Sequence, residues 1–211
     1  MRRIQTGCEN VVQSRNPEGT PKQAYKRNLV LIGFMGTGKS AIGRALSRRL
    51  GGRHIDTDCQ IEVACGKKIP QIFLDDGEQA FRAAEHGVVR RLATAVARRP
   101  ASAAKRALVV STGGGTPLRP ENAELLRRIG RIVWLTASTE TIVRRVTRNL
   151  DQRPLLAGFH QDPASRIEFL VEERAPKYAA LAAVTVDTST FASPDDAANH
   201  IIATLRLNEE T

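Results

Sequence analysis

Apolar residues fall along this chain in two alternating rhythms. Leu29-Val30-Leu31-Ile32 is a short continuous apolar run, the pattern of a strand buried on both faces. Ala41 to Leu50 follows with Ile42, Leu46 and Leu50 four apart, the stripe of an amphipathic helix closed by Gly51-Gly52. A second strand is expected over Arg53-His54-Ile55, closing on Asp56-Thr57-Asp58. Short helices are predicted at 59–65 and 69–75, broken near Gly66, then a longer one at 78–98 carrying Phe81, Val88, Leu92 and Val96. Ala107-Leu108-Val109-Val110 reads as the third strand and ends at Gly113-Gly114-Gly115. Pro120 suits the first turn of a helix that stops by Gly130. Ile132-Val133-Trp134-Leu135 is the fourth strand, and 138–148 a helix. A helix is predicted from Asp162-Pro163 to about 181, and Ala183-Val184-Thr185-Val186 is the last strand. Ser193-Pro194-Asp195-Asp196 opens the closing helix as a capping box. Strands alternating with helices imply an α/β fold, a parallel sheet of about five strands flanked by helices, with ligands at the carboxyl ends of the strands.

The candidate chemistry gathers at those ends. Gly33-Phe34-Met35-Gly36-Thr37-Gly38-Lys39-Ser40 satisfies the phosphate-loop pattern G-x-x-x-x-G-K-[ST] between a strand and a helix. Its glycines permit a tight turn whose N–H groups, with the positive end of the following helix, form an anion cradle. Lys39 would reach the β- and γ-phosphates of a nucleoside triphosphate, and the Ser40 hydroxyl would help hold Mg²⁺. Asp56 and Asp58 are two apart, which in an extended segment places both carboxylates on one side, with Asp58 alternatively serving as cap of the next helix. Arg82 and Glu85, three apart, share a helix face; taken alone, this is an ordinary exposed helix pair.

Composition narrows the field. The chain has 211 residues, 41% of them hydrophobic, enough for one cored domain, and no apolar run of membrane-spanning length. Cys8, Cys59 and Cys65 form no metal-ligand pattern, and their odd number argues against a disulfide framework, so reduced thiols and a cytoplasmic location are expected. The net charge is +10. Residues 1–28 hold six Arg or Lys against two acids, so +4 belongs to that stretch and +6 to the rest. Aromatic side chains are not interleaved with the basic ones, so anionic small substrates are expected rather than nucleic acid. Residues 1–27 lack apolar periodicity and read as a flexible extension; no apolar segment follows Arg2-Arg3 as a secretory signal requires. The stretch 149–162 is rich in turn formers and reads as a mobile surface loop.

Strand three closes on Ser111 and strand four on Thr136, not on the acid of a motor or nucleic-acid ATPase, and no Asn-Lys guanine reader occurs. A small kinase remains, with Asp56 as the acid near the metal. The chain resembles the shikimate kinases, within the nucleoside monophosphate kinase-like group. The resemblance rests on the 33–40 loop, Asp56-Thr57-Asp58, Phe81-Arg82 with Glu85, Gly113-Gly114-Gly115, Arg153-Pro154-Leu155-Leu156, and Arg174 with Tyr178. These run in the family's order over about 28–206. The chain departs from the family at Ala180, where an acid is common, in its extension, and in the basic connection 98–106.

The resemblance implies a P-loop kinase domain over 28–211 with a lid at about 149–162, and ATP-dependent phosphorylation of the 3-hydroxyl of shikimate. It implies that Gly36, Thr37, Gly38, Lys39, Ser40 and Ala41 hold ATP, and that Asp56 with Ser40 supports Mg²⁺. Asp58 would contact the substrate hydroxyl and accept its proton. Arg82 and Arg174 would read the substrate carboxylate as planar forks, and Gly113, Gly114 and Gly115 would lie against shikimate. Arg153 would fold over the phosphates, and Arg145 or Arg148 would flank adenine. A monomer acting on ATP and shikimate, away from nucleic acid and membrane, is the expectation. Its rivals are another small-molecule kinase, such as one for gluconate, and a basic nucleotide-binding module engaging nucleic acid or protein through the extension.

Overall fold

The strands expected from the apolar runs form at β1 (Leu29–Ile32), β2 (Arg53–Asp56), β3 (Leu108–Ser111), β4 (Arg131–Thr136) and β5 (Val184–Asp187). They make one sheet of order β2-β3-β1-β4-β5, parallel at every pairing. The computed structural model describes residues 27–100, 106–146 and 163–207. The rest of the expected extension, most of the basic connection, and the expected lid with Arg148 and Arg153 lie outside them. Eight α-helices flank the sheet among the described residues: α1 (Lys39–Arg49), α2 (Thr57–Cys65), α3 (Ile69–Asp75), α4 (Gly77–Ala97), α5 (Pro120–Ile129), α6 (Thr139–Val146), α7 (Pro163–Ala179) and α8 (Pro194–Thr204). None of the helices among these residues is long and apolar enough to cross a membrane.

The all-apolar sequence of β1 follows from its place at the centre, where both faces are covered. Leu29 and Leu31, with Val109, Val133, Leu135 and Val186, pack against Ile42, Ala45 and Leu46 of α1 and Ile201 and Ile202 of α8. Val30 and Ile32, with Val110 and Ile132, pack on the other face against Val89, Ala93 and Val96 of α4 and Leu126 and Ile129 of α5. Two smaller clusters extend this core. Phe34, Ile142, Val146, Ile167 and Leu170 join the phosphate loop to α6 and α7. Ile61, Ile72, Phe81 and Val88 tie α2 and α3 to α4. The N-cap half of the expected capping box is present at α8, where the Ser193 hydroxyl accepts from the Asp196 N–H at 3.2 Å and donates to the Asp196 carboxylate at 2.7 Å.

The amino ends of the strands are closed by Asn28, which is buried. Its amide donates to the Ile129 carbonyl at 3.1 Å and its side-chain oxygen accepts from the Leu108 N–H at 2.9 Å, so one residue ties β1 to β3 and to the end of α5. Replacing it by Ala strips partners from two backbone groups in a dry environment, each such loss costing about 1–3 kcal/mol. Asn28→Ala is therefore expected to lose about 2–4 kcal/mol in urea unfolding while leaving the turnover of the folded fraction unchanged, because the site lies at the opposite end of the sheet. Equal stability of the two proteins would contradict the assignment.

Candidate active site

The phosphate loop joins β1 to α1 and is shaped by positive-φ glycines. At Gly33, φ is +136°, and a Cβ there would stand 2.2 Å from the Leu135 carbonyl oxygen, so only glycine lets the loop leave the sheet against β4. α1 begins at Lys39 with no side-chain cap and no acid in its first turn, so its leading N–H groups are left to an anion. The Lys39 ammonium is buried and donates to the Gly33 and Phe34 carbonyls at 2.9 and 2.7 Å, lying along the loop it is expected to serve. The Thr37 hydroxyl turns inward to the Phe34 carbonyl at 2.8 Å, and the Thr37 N–H reaches the same carbonyl at 3.5 Å, a long bond. Beneath the loop, Ser111 donates to the Lys39 carbonyl at 3.0 Å, and His54 Nε2 sits 2.9 Å from that hydroxyl. Burial lowers the His54 pKa and favours the neutral ring. Arg145 of α6 donates to the Gly36 carbonyl at 3.1 Å and to Thr188 at 3.2 Å.

The two aspartates are arranged differently from the sequence expectation. They do not lie on one side of an extended segment, because the strand ends at Asp56 and Asp58 is already in the first turn of α2. The cap is Asp56, not Asp58: its Oδ1 accepts from the Asp58 N–H at 3.1 Å while its Oδ2 accepts from the Ser40 hydroxyl at 2.5 Å. Cap formation outweighed strand periodicity here, since a free helix N–H beside a β-region aspartate is satisfied at once. Asp58 Oδ1 finds no hydrogen-bond partner among the described residues. Gly113 makes room for it, as a Cβ at Gly113 would fall 2.6 Å from that oxygen. Burial, then the nearby Asp56 charge, pushes the Asp58 carboxyl up from 3.8 to about 6.

Arg82 projects from α4 with its fork held from two sides. Nη1 pairs with Glu85 at 3.2 Å and Nη2 with Glu78 at 3.0 Å, and the guanidinium carbon lies 5.1 Å from the Phe81 ring centre. Glu85 is buried at 1% exposure, so this pair is not the solvated helix pair that spacing alone implies. Gly115 allows the approach, since a Cβ there would meet Arg82 Nη1 at 2.7 Å. Arg174 of α7 stacks over Phe34 at 5.4 Å, and Tyr178 one turn on donates to the Gly114 carbonyl at 2.6 Å.

These groups meet in a cleft of about 630 Å³. Asp56, Asp58, Arg82, Glu85 and Gly113 to Gly115 line it, together with Met35 of the phosphate loop. Lys39, Ser40 and Arg174 are not part of its lining, although Asp56 links Ser40 to it directly. Sequence reasoning missed the far wall, made by α2 and α3, where Cys59, Glu62, Lys68, Ile69, Pro70 and Phe73 face the cleft. Glu62 accepts from the Ile69 N–H at 3.1 Å and pairs with Lys68 at 2.8 Å, capping α3 from α2. A contact across seven residues and a break has no local periodicity to announce it. The lining combines the Arg82 guanidinium, the Asp58 carboxyl and apolar faces, which suits a small carboxylic acid with a hydroxyl group. Ser40 and Asp56 offer hard oxygen ligands, and among the described residues no three His, Cys, Asp or Glu side chains gather as a separate metal cluster. A divalent cation borne by nucleotide phosphates fits that donor set.

The family model for shikimate kinase matches residues 35–206. The shikimate kinase of Pelotomaculum thermopropionicum is 45% identical over 180 residues, 85% of this chain and 96% of that protein. The solved shikimate kinase from Acinetobacter baumannii in complex with shikimate superposes with a TM-score of 0.75 at 34% identity, covering 87% of this chain and 95% of that one. A gluconokinase from Sinorhizobium meliloti reaches a TM-score of 0.51 at 20% identity over 88% of this chain and 95% of that one, a likeness of fold alone.

The raised carboxyl of Asp58 has a consequence for stability. A group whose pKa is higher folded than unfolded favours folding at low pH and loses that contribution as pH rises through its folded value, here about 6. In nucleotide-free, chelator-treated protein, Asp58→Asn is expected to melt at a higher temperature than the parent at pH 7.5, with the advantage shrinking at pH 5. Thermal unfolding at the two pH values checks this, and a pH-independent difference would refute it.

Proposed function

The chain belongs to the shikimate kinase family, and we propose on that footing that it transfers the γ-phosphoryl group of ATP to the 3-hydroxyl of shikimate. The observation that carries this assignment to the residues is the shared cleft, which Arg82 and Asp58 line together with Asp56, the residue that accepts from Ser40 of the phosphate loop. The oxygen of the acceptor hydroxyl attacks the γ-phosphorus, the bond from that phosphorus to the bridging oxygen breaks, and ADP leaves. Asp58 orients the hydroxyl and takes its proton, a role favoured by a carboxyl poised near neutrality.

Arg82, positioned by Glu78 and Glu85, reads the shikimate carboxylate, with Arg174 reaching in from α7. Gly113, Gly114 and Gly115 let the ring lie close to the backbone. Gly36, Thr37, Gly38 and Ala41 offer backbone N–H groups to the phosphates, while Lys39 turns from its loop carbonyls to the β- and γ-oxygens. Mg²⁺ is the cation we assign to Ser40 and Asp56; when bound it neutralises charge on the β- and γ-phosphates. Arg145 lies against Gly36 and is the residue we place near adenine, and Arg153 would meet the transferring phosphoryl from a lid at 149–162. We assign catalysis to a domain spanning 28–211, acting as a cytoplasmic monomer, and give the 1–27 extension no part in it.

ADP release from Mg-ATP tests the reading. Shikimate is expected to stimulate release strongly and gluconate weakly; the reverse would overturn the acceptor assignment. Asp58→Asn is expected to lower kcat by about 10²–10⁴ with ATP affinity nearly unchanged, and turnover within twofold of the parent would remove Asp58 from proton transfer.

A further inference from the structure

Arg82 can read a carboxylate in a fixed direction only if the groups behind it are fixed. The buried one of its two partners is Glu85, whose carboxylate receives bonds from two directions, whereas Glu78 is exposed. Arg82 Nη1 approaches Oε2 at 3.2 Å and Oε1 at 3.4 Å, and the Thr116 hydroxyl donates to Oε1 at 2.8 Å. Thr116 is itself fully buried. It opens the 3-10 turn Thr116–Leu118, immediately after the triple glycine, and its N–H donates to the Gly113 carbonyl at 3.2 Å. A Cβ on Gly113 would stand only 3.1 Å from the Thr116 hydroxyl oxygen. The hydroxyl thus sits between the glycine turn and a buried carboxylate that it shares with Arg82.

We propose that Thr116 is a positioning residue for substrate recognition: through Glu85 it fixes the Arg82 fork relative to the glycine turn on which the substrate ring lies. This inference rests on Arg82 as the carboxylate reader. A carboxylate buried without its hydroxyl donor must either turn toward another partner or draw Arg82 inward, and both movements misalign the fork. The glycine turn and the fork are then no longer set by the same residue, so the two halves of acceptor recognition drift apart. Thr116 touches neither nucleotide nor the reacting oxygen in this arrangement. Its loss therefore bears on shikimate affinity and leaves ATP handling and the chemical step alone.

Steady-state kinetics of the full-length variants Thr116→Val, Thr116→Ser and Arg82→Lys decide the matter, with KM for shikimate, KM for ATP and kcat determined separately. Val keeps the shape of Thr without the donor, and Ser keeps the donor. Thr116→Val is expected to raise the shikimate KM about 5- to 30-fold, with kcat and the ATP KM within about twofold of the parent, the loss of one hydrogen bond to a charged group. Thr116→Ser is expected to restore the parent value. Combining Thr116→Val with Glu85→Gln should add little to the effect of Glu85→Gln alone, because both act on one chain of contacts. An unchanged shikimate KM in Thr116→Val, alongside a raised one in Arg82→Lys, overturns the proposal while leaving Arg82 in its role. An unchanged KM in Arg82→Lys instead removes the carboxylate reading and the proposal with it. Should Thr116→Val fold poorly, Thr116→Ser alone remains decisive, because failure to hold the parent KM with intact stability also overturns the hydroxyl's role.

Discussion

One carboxylate holds the two halves of this site together. Asp56 ends β2, and its oxygens serve different masters: one accepts the Ser40 hydroxyl of the phosphate loop, the other the N–H of Asp58 at the start of α2. The phosphate loop and the start of α2 are thereby set in register by a single side chain at the carboxyl end of an edge strand. Phosphoryl transfer asks for little covalent work from a protein and much positioning, so a rigid link between donor and acceptor platforms is what the chemistry needs. The charge of Asp56 also raises the pKa of its neighbour Asp58 after burial has done the larger part, so the same group that positions also tunes.

The sheet explains why that link is available. With order β2-β3-β1-β4-β5 and every pair parallel, the loop after β1, the aspartates after β2 and the glycines after β3 come from three adjacent strands and emerge at one end. The helices then complete the cleft from outside. α4 brings Arg82 and its buried Glu85, and α2 with α3 forms a wall whose junction is closed by Glu62, while Arg174 of α7 stays outside the lining, over Phe34. The apolar clusters behind these helices share residues with the site itself, since Phe34 belongs to the phosphate loop and Phe81 adjoins Arg82. Recognition and stability are therefore not separable here.

Much of this was legible from the chain alone. The five strands and the helices between them follow the apolar runs to within a residue or two at most ends, because a doubly covered parallel sheet writes itself as continuous Leu, Val and Ile. The phosphate loop was legible because its glycines and Lys-Ser pair leave few alternatives. What stayed hidden depends on distant partners or on competition between local rules. Asp56 and Asp58 obey a helix cap rather than a strand period. Glu85 looks like a solvated partner of Arg82, yet it is buried and bonded by Thr116, 31 residues on. Asn28 reads as a polar residue before a strand, yet it fastens β3 and α5 to β1. Part of the +10 charge sits on exposed helix faces, where Arg48 and Arg49 pair with Asp195 and Arg128 with Glu124; such pairs contribute about 0–1 kcal/mol each and solvate more than they stabilise.

The link through Asp56 is tested most directly by titrating free Mg²⁺ at fixed ATP and shikimate in the Asp56→Asn variant. Asn keeps an oxygen for the Asp58 N–H, and it removes the charge and replaces the acceptor of the Ser40 hydroxyl with an amide NH2. Half-maximal turnover is expected to shift to about 10- to 100-fold higher Mg²⁺, with turnover below the parent's at saturation. A Mg²⁺ dependence and a turnover indistinguishable from the parent's would show that Asp56 is a helix cap and nothing more.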